Sequence, residues 1–72
     1  MVTIEAGQLW RLTRDIDRSP LIMQGMKRGD VVIVEGNYAR QGPRLLRRNR
    51  DPIGIITEGQ LRECAELVEA DE

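Results

Sequence analysis

Hydrophobic and polar residues alternate along much of the chain, and this is the pattern of half-buried β-strands. In the first such segment Trp10 and Leu12 fall on one side of the predicted strand, with Leu9, Arg11 and Thr13 on the other. Residues 31–34 are four β-branched side chains in succession, which predicts a strand with both faces covered. Further apolar segments at 45–46 and 53–56 are bounded by Gly, Pro and Asn, so they predict short strands joined by turns.

One helix is predicted near the C-terminal end of the chain. Thr57 and Gln60 have the spacing of a capping box, in which each side chain bonds the backbone of the other residue. Apolar residues then recur at the spacing of one helical face. They are Leu61, Cys64, Ala65 and Val68. The sequence therefore predicts a helix over 58–69.

Together these elements predict a mainly β fold in one domain, residues 1–72. A chain of 72 residues has room for only a small core, and no repeat or linker divides it. We expect a small barrel of about five short antiparallel strands over 2–56, followed by the C-terminal α-helix. No crossover helix is predicted between the strands, which argues against a parallel sheet. Trp10 is predicted to belong to the core rather than to stack on a base.

The two faces of the strand at residues 31–34 bear on function. If Val32 and Val34 face the core, Val31 and Ile33 face the other way. We expect the C-terminal helix to cover that second face, because its own apolar stripe needs such a surface. The alternative is that Val31 and Ile33 form an exposed apolar patch.

The net charge of −1 hides an asymmetry between the two parts of the chain. Residues 1–50 carry ten basic and five acidic side chains, whereas residues 51–72 carry one and seven. Such asymmetry indicates an anionic partner, pairing of the two parts with each other or across a dimer, or simply a solvated charged surface. The basic residues are densest in one segment, which we take with a nearby tyrosine as the candidate binding surface. Its members are Tyr38, Arg40, Arg44, Arg47, Arg48 and Arg50.

The centre of the chain resembles a known motif. Residues 28–46 are similar to the KOW motif, a strand, a glycine-containing loop and a second strand within SH3-like barrels of ribosomal proteins and transcription elongation factors. Arg40 stands where the family has its middle loop glycine, and Gly42 falls one position early. The resemblance implies an SH3-like barrel and association with RNA or with a polymerase. The matching positions are Gly29, Asp30, Val32, Val34 and Gly36.

Little in the sequence points to chemistry. There is no histidine, and Cys64 lies on the apolar helix face, where a structural thiol is expected. Asp15 and Asp17 are expected to form solvated ion pairs with the neighbouring Arg14 and Arg18. No phosphate-binding glycine loop of the Walker or Rossmann form is present. We therefore expect no enzyme activity, no cofactor and no metal site.

Binding is the remaining function. The first hypothesis is a protein-interaction module, an accessory or inhibitor-type protein that docks on a larger protein or macromolecular machine. The alternative is RNA or DNA binding by the segment 40–50, with Tyr38 or Trp10 stacking on a base. The pI of about 5.4 argues against the alternative, so a protein partner is favoured. A homodimer is compatible with both.

The expected location is the cytoplasm. No apolar run approaches the roughly 20 residues that span a bilayer, and the N-terminus lacks the pattern of a signal peptide. We therefore expect no membrane partner. Chains of this length are common among accessory proteins of phages and mobile elements.

Overall fold

The alternating segments form one antiparallel sheet, with strand order β4-β3-β2-β1-β5. A computed structural model describes residues 3–38 and 40–68. The predicted mainly β class, with five short antiparallel strands and one helix in a barrel-like fold, is confirmed. The elements are β1 Leu9–Leu12, β2 Val31–Tyr38, β3 Gly42–Arg47, β4 Pro52–Ile55, α1 Glu58–Cys64 and β5 Ala65–Leu67.

One face of this sheet builds the core. Trp10 lies opposite Val32, and Val34 lies opposite Leu45, so the inward side chains of neighbouring strands meet directly. The predicted core position of Trp10 is confirmed, since this residue is only 4% exposed. Its indole N–H donates to Gln8 Oε1 at 3.1 Å, which satisfies the polar atom of the largest core side chain. The other core residues include Ile4, Leu12, Ile22, Met26, Ile53, Ile56 and Leu61.

The free side of β4 is covered by the segment Leu21–Met23. The Met23 N–H donates to the Ile53 carbonyl at 2.6 Å, and Ile22 forms an isolated bridge with Gly54. Ile22 also places its side chain in the core. This segment satisfies backbone groups that an edge strand would otherwise expose, and it extends the sheet towards closure.

The helix begins as predicted but ends earlier. The capping box is confirmed, because the Gln60 N–H donates to Thr57 Oγ1 at 3.1 Å and the Thr57 N–H donates to Gln60 Oε1 at 3.2 Å. The predicted end at residue 69 is wrong: the helix stops at Cys64, and Ala65 is extended with φ −149° and ψ 164°. Like Val2, where the predicted barrel begins, Glu69 lies outside the described residues.

The helix ends early because the residues that follow it pair with another strand. Residues 65–67 form β5 along the edge of β1, and the Thr13 N–H donates to the Cys64 carbonyl at 2.7 Å while the Val68 N–H donates to the Leu9 carbonyl at 2.8 Å. Pairing with β1 satisfies backbone groups on both segments. It outweighs helix propensity, which is a weak preference when tertiary partners compete.

The expectation that the helix covers Val31 and Ile33 is also wrong. The helix places Leu61 in the core together with Val32 and Val34, on the inner face of the sheet. Val31 and Ile33 alternate with those valines and therefore lie on the opposite, outer face, where they are half-buried.

Candidate functional site

The predicted arginine cluster is divided between the two ends of β3. Tyr38 and Arg40 precede that strand, whereas Arg48 and Arg50 lie in the turn that follows it. The six residues of β3 span roughly 20 Å at the usual rise of a strand. The segment 40–50 therefore does not form one patch.

Arg47 is held by neighbouring parts of the chain. Its Nε donates to Gln24 Oε1 at 2.6 Å, and its Nη2 donates to the Gly25 carbonyl at 2.7 Å. Its Nη1 also lies 3.8 Å from Asp30 Oδ2. These contacts tie the end of β3 to the segment that leads into β2, so Arg47 has a structural role.

Three loops gather at the end of the sheet where Arg48 and Arg50 lie. The antiparallel strand order places residues 13–18, residues 27–30 and the β3–β4 turn at this same end. The Arg28 N–H donates to Asp15 Oδ1 at 2.8 Å, which joins the first two loops. The loops carry six exposed basic residues that we call the basic end: Arg14, Arg18, Lys27, Arg28, Arg48 and Arg50.

The basic end lacks the ion pairs that the sequence suggested for it. Within the described residues, neither Arg14 nor Arg18 forms an ion pair with Asp15 or Asp17, and Lys27, Arg28, Arg48 and Arg50 form none either. Sequence reasoning missed the four cations of the first two loops because they are remote in the chain from residues 40–50. Strand pairing was the signal that could have placed them beside the β3–β4 turn.

The β3–β4 turn holds Arg50 in an unusual backbone conformation. The Arg50 N–H donates to the Arg47 carbonyl, and the Arg47 N–H donates to the Asp51 carbonyl, both at 2.8 Å. Arg50 has φ +73°, the left-handed conformation that hairpin loops of this length usually give to glycine. An arginine therefore occupies a backbone conformation that glycine would adopt at lower energy.

This conformation leads to a prediction about stability. Arg50→Gly should raise the free energy of unfolding by about 1 kcal/mol, because glycine adopts positive φ without steric strain. The matched control is Arg48→Gly, which removes the same charge where φ is negative and should lower stability slightly. Thermal denaturation of both variants checks this. An Arg50→Gly protein that melts below Arg48→Gly would contradict the strain argument.

The outer face of the sheet carries a continuous row of apolar side chains. Leu9 lies opposite Ile33, Ile33 opposite Leu46, and Leu46 opposite Pro52. Directly paired residues share a face, so these four form one line across four strands, which we call the apolar row. Val68 follows β5 beside Leu9. Pro52 is exposed and Leu9 and Ile33 are half-buried, whereas Leu46 is only 7% and Val68 9% exposed. The outer face of an antiparallel sheet is ordinarily polar, which makes the accessible part of this row a candidate contact surface.

Charged pairs border the apolar row. Arg11 lies two residues from Leu9 on the same face, with its Nη1 3.9 Å from Glu66 Oε1. Arg44 lies two residues from Leu46, with its Nη1 3.4 Å from Glu35 Oε1. Arg44, a predicted site residue, thus belongs to the border of this row. An apolar centre with a charged rim is the anatomy of protein–protein interfaces.

Tyr38 and Arg40 lie away from the basic end. Tyr38 is 45% exposed and belongs with Leu21, at 73%, and Met23, at 54%, to the most exposed large apolar side chains of the described residues. Arg40 lines a surface groove beside the helix N-terminus. The rest of this groove is lined by Leu21, Gln41, Ile55, Ile56, Thr57 and Gln60.

Candidate chemistry is sparse in the described part of the chain. Its residues include no group of three or more His, Cys, Asp or Glu side chains that could hold a metal ion. Cys64 is half-buried and packs against the core. The described helix is too short to cross a membrane. Comparisons with protein-family models, with curated proteins and with solved structures gave no match to this chain.

Proposed function

We propose that this protein is a non-enzymatic binding module that docks on a larger protein through the apolar row. The observation that supports this is the register of Leu9, Ile33 and Leu46, which lines up three large aliphatic side chains on the outer face of the sheet. Leu9 and Ile33 are half-buried and accessible to a partner, and Leu46, only 7% exposed, packs between the strands beside them. Isolated apolar residues on a surface need no explanation, but a line of them across neighbouring strands does.

The dimensions of the row suit the centre of an interface. Four strands at the usual spacing make it roughly 14 Å long. A standard interface buries about 800 Å² on each partner, which is about one sixth of the 4953 Å² surface of this protein. The row would fill the middle of such an area, and the Arg11–Glu66 and Arg44–Glu35 pairs would fall on its rim.

The resemblance of residues 28–46 to the KOW motif adds a proposal about the class of partner. If this chain shares the function of KOW-containing proteins, its partner belongs to the transcription or translation machinery. The protein is then an accessory factor or inhibitor of that machinery. A second copy of the chain is the competing occupant of the row, and the experiment is arranged to separate the two.

Ile33→Lys tests the proposal, because it places a charge in the middle of the row. Wild-type protein, Ile33→Lys and the control Ala6→Lys are immobilised in equal amounts and exposed to an extract of the native cells. Ala6 is exposed and outside the row, so its variant gains the same charge elsewhere. We expect defined proteins to bind wild type and Ala6→Lys and to bind Ile33→Lys about 30-fold or more weakly, as at a central interface residue.

Two results would overturn this proposal. The first is an identical set of bound proteins for all three forms, provided that Ile33→Lys retains its melting transition. The second is a wild-type protein that sediments as a dimer while Ile33→Lys sediments as a monomer, which would show that a second copy covers the row.

A further inference from the structure

A second surface of the molecule differs from the apolar row in both place and chemistry. Residues 13–18, 27–30 and 47–51 together carry seven basic and four acidic side chains, a net charge of +3. The remaining residues of the chain carry a net charge of −4. The net charge of −1 is therefore the sum of a positive region and a negative remainder. The acidic pI of the whole chain does not describe the three loops that carry the positive charge.

From this end we infer a binding site for the phosphate backbone of a nucleic acid. The six residues of the basic end come from three loops that converge, and five of the six are arginines, whose planar guanidinium groups can donate two parallel hydrogen bonds to a phosphate. Each is exposed and unpaired within the described residues. Among the described residues, a phosphate would therefore meet no ion pair that has to be broken first.

Most of the acidic side chains at this end are engaged in shaping the loops. Asp15 accepts the Arg28 N–H at 2.8 Å, Asp30 accepts the Lys27 N–H at 2.9 Å, and Asp51 accepts from Asn49 Nδ2 at 3.2 Å. Asp30 also contacts Arg47. These carboxylates hold the loops, whereas the exposed cations remain directed at solvent.

The composition of the end favours nucleic acid over an acidic protein. The three loops contain none of the large apolar side chains that are exposed, since those are Leu21, Met23 and Tyr38. Protein interfaces need an apolar centre, whereas binding to a phosphate backbone is carried by cations alone. Contacts to phosphate carry no sequence information, so we expect this site to bind with little sequence preference.

The conformation of Arg50 supports the same inference. Glycine would adopt its φ of +73° at lower energy, and a strained non-glycine residue at an exposed turn indicates that the side chain itself has a use. Its guanidinium lies in the same turn as that of Arg48, at the tip of the β3–β4 hairpin.

Fluorescence anisotropy tests the inference directly. The probes are a labelled 20-nucleotide RNA, the same sequence as single-stranded DNA, and the 20-base-pair duplex, each at 50 and 200 mM salt. If three phosphates are contacted, the affinity should fall roughly 40-fold over this range on the duplex and roughly 20-fold on a single strand. The ranking of the three probes then identifies the kind of nucleic acid.

The variants locate the site. Arg48→Ser/Arg50→Gly should lose at least about tenfold in affinity at 50 mM salt, and Arg50→Gly favours folding, so the loss is one of charge. The control Arg40→Ser removes one arginine away from the basic end and should bind as wild type, whereas Arg48→Ser alone should weaken binding. Lys27→Ser/Arg28→Ser, in a different loop, should show a similar loss of nucleic-acid affinity. Agreement between the two double variants would show that the loss does not come from a folding defect in the first one.

Several outcomes would overturn the inference. They are the absence of binding at 50 mM salt, binding that does not weaken with salt, and equal losses in the basic-end variants and the control. Displacement of the probe by polyglutamate as effectively as by unlabelled RNA would show that the end takes acidic protein segments instead. Ile33→Lys should leave nucleic-acid binding intact, so this test is independent of the one for the apolar row.

Discussion

Gly54→Ala is expected to lower the free energy of unfolding by about 3–5 kcal/mol, half or more of the stability usual for a chain of this size. Gly54 has φ +146°, and an added Cβ would overlap the Leu21 carbonyl oxygen and lie 2.9 Å from the Ile22 Cα. Both obstacles are backbone atoms, so relief requires the segment Leu21–Met23 to move away from β4. Thermal denaturation should show a melting temperature roughly 15 °C or more below that of wild type.

Gly59→Ala is the matched control for this substitution. Gly59 lies in the first turn of the helix, and an added Cβ there would have one contact within 4 Å, the Thr57 Oγ1 at 3.9 Å. The change should raise stability by about 0.5–1 kcal/mol, because alanine favours the helix. A Gly54→Ala protein that melts within 3 °C of wild type would show that β4 does not depend on close approach by Leu21.

The fold was predictable where the signal is local. Alternation identified β1, the β-branched run identified the start of β2, and the Thr57–Gln60 spacing identified the start of the helix. The end of the helix was not predictable, because Ala65 to Leu67 follow a helical spacing and become a strand only through pairing with β1. That partner is more than fifty residues away in the chain, and no local pattern reports it.

The candidate sites also divide into features with a local sequence signal and features set by tertiary contacts. The sequence identified the density of arginines between residues 40 and 50, but their proximity in the chain is not proximity in space, since β3 separates Arg40 from Arg50. The basic end depends on which loops the strand order brings together. The apolar row depends on register, because a slip of one residue would turn Ile33 towards the core. Neither surface could therefore be predicted without the three-dimensional arrangement of the strands and loops.

Arg47 and Arg48 are neighbours in sequence with opposite expected roles, and charge reversal should separate them. Arg47→Glu removes the hydrogen bonds to Gln24 Oε1 and the Gly25 carbonyl, and it places a carboxylate beside Asp30. We expect a loss of about 2–3 kcal/mol in the free energy of unfolding, because Gln24 Oε1 and the Gly25 carbonyl would lose their donor and face a carboxylate instead. The melting temperature should fall by roughly 10–20 °C.

Arg48→Glu is the control, since it makes the same charge change on an exposed side chain of the basic end. Its melting temperature should stay within about 2 °C of wild type, as for most surface substitutions, while its affinity for nucleic acid falls. The pair thus distinguishes an arginine that holds the loops from one that contacts a ligand. Equal melting temperatures for the two variants would mean that Arg47 is not an anchor, and that the other contacts of the loops 13–18 and 27–30, such as Arg28–Asp15 and Ile16–Met26, are enough to position them.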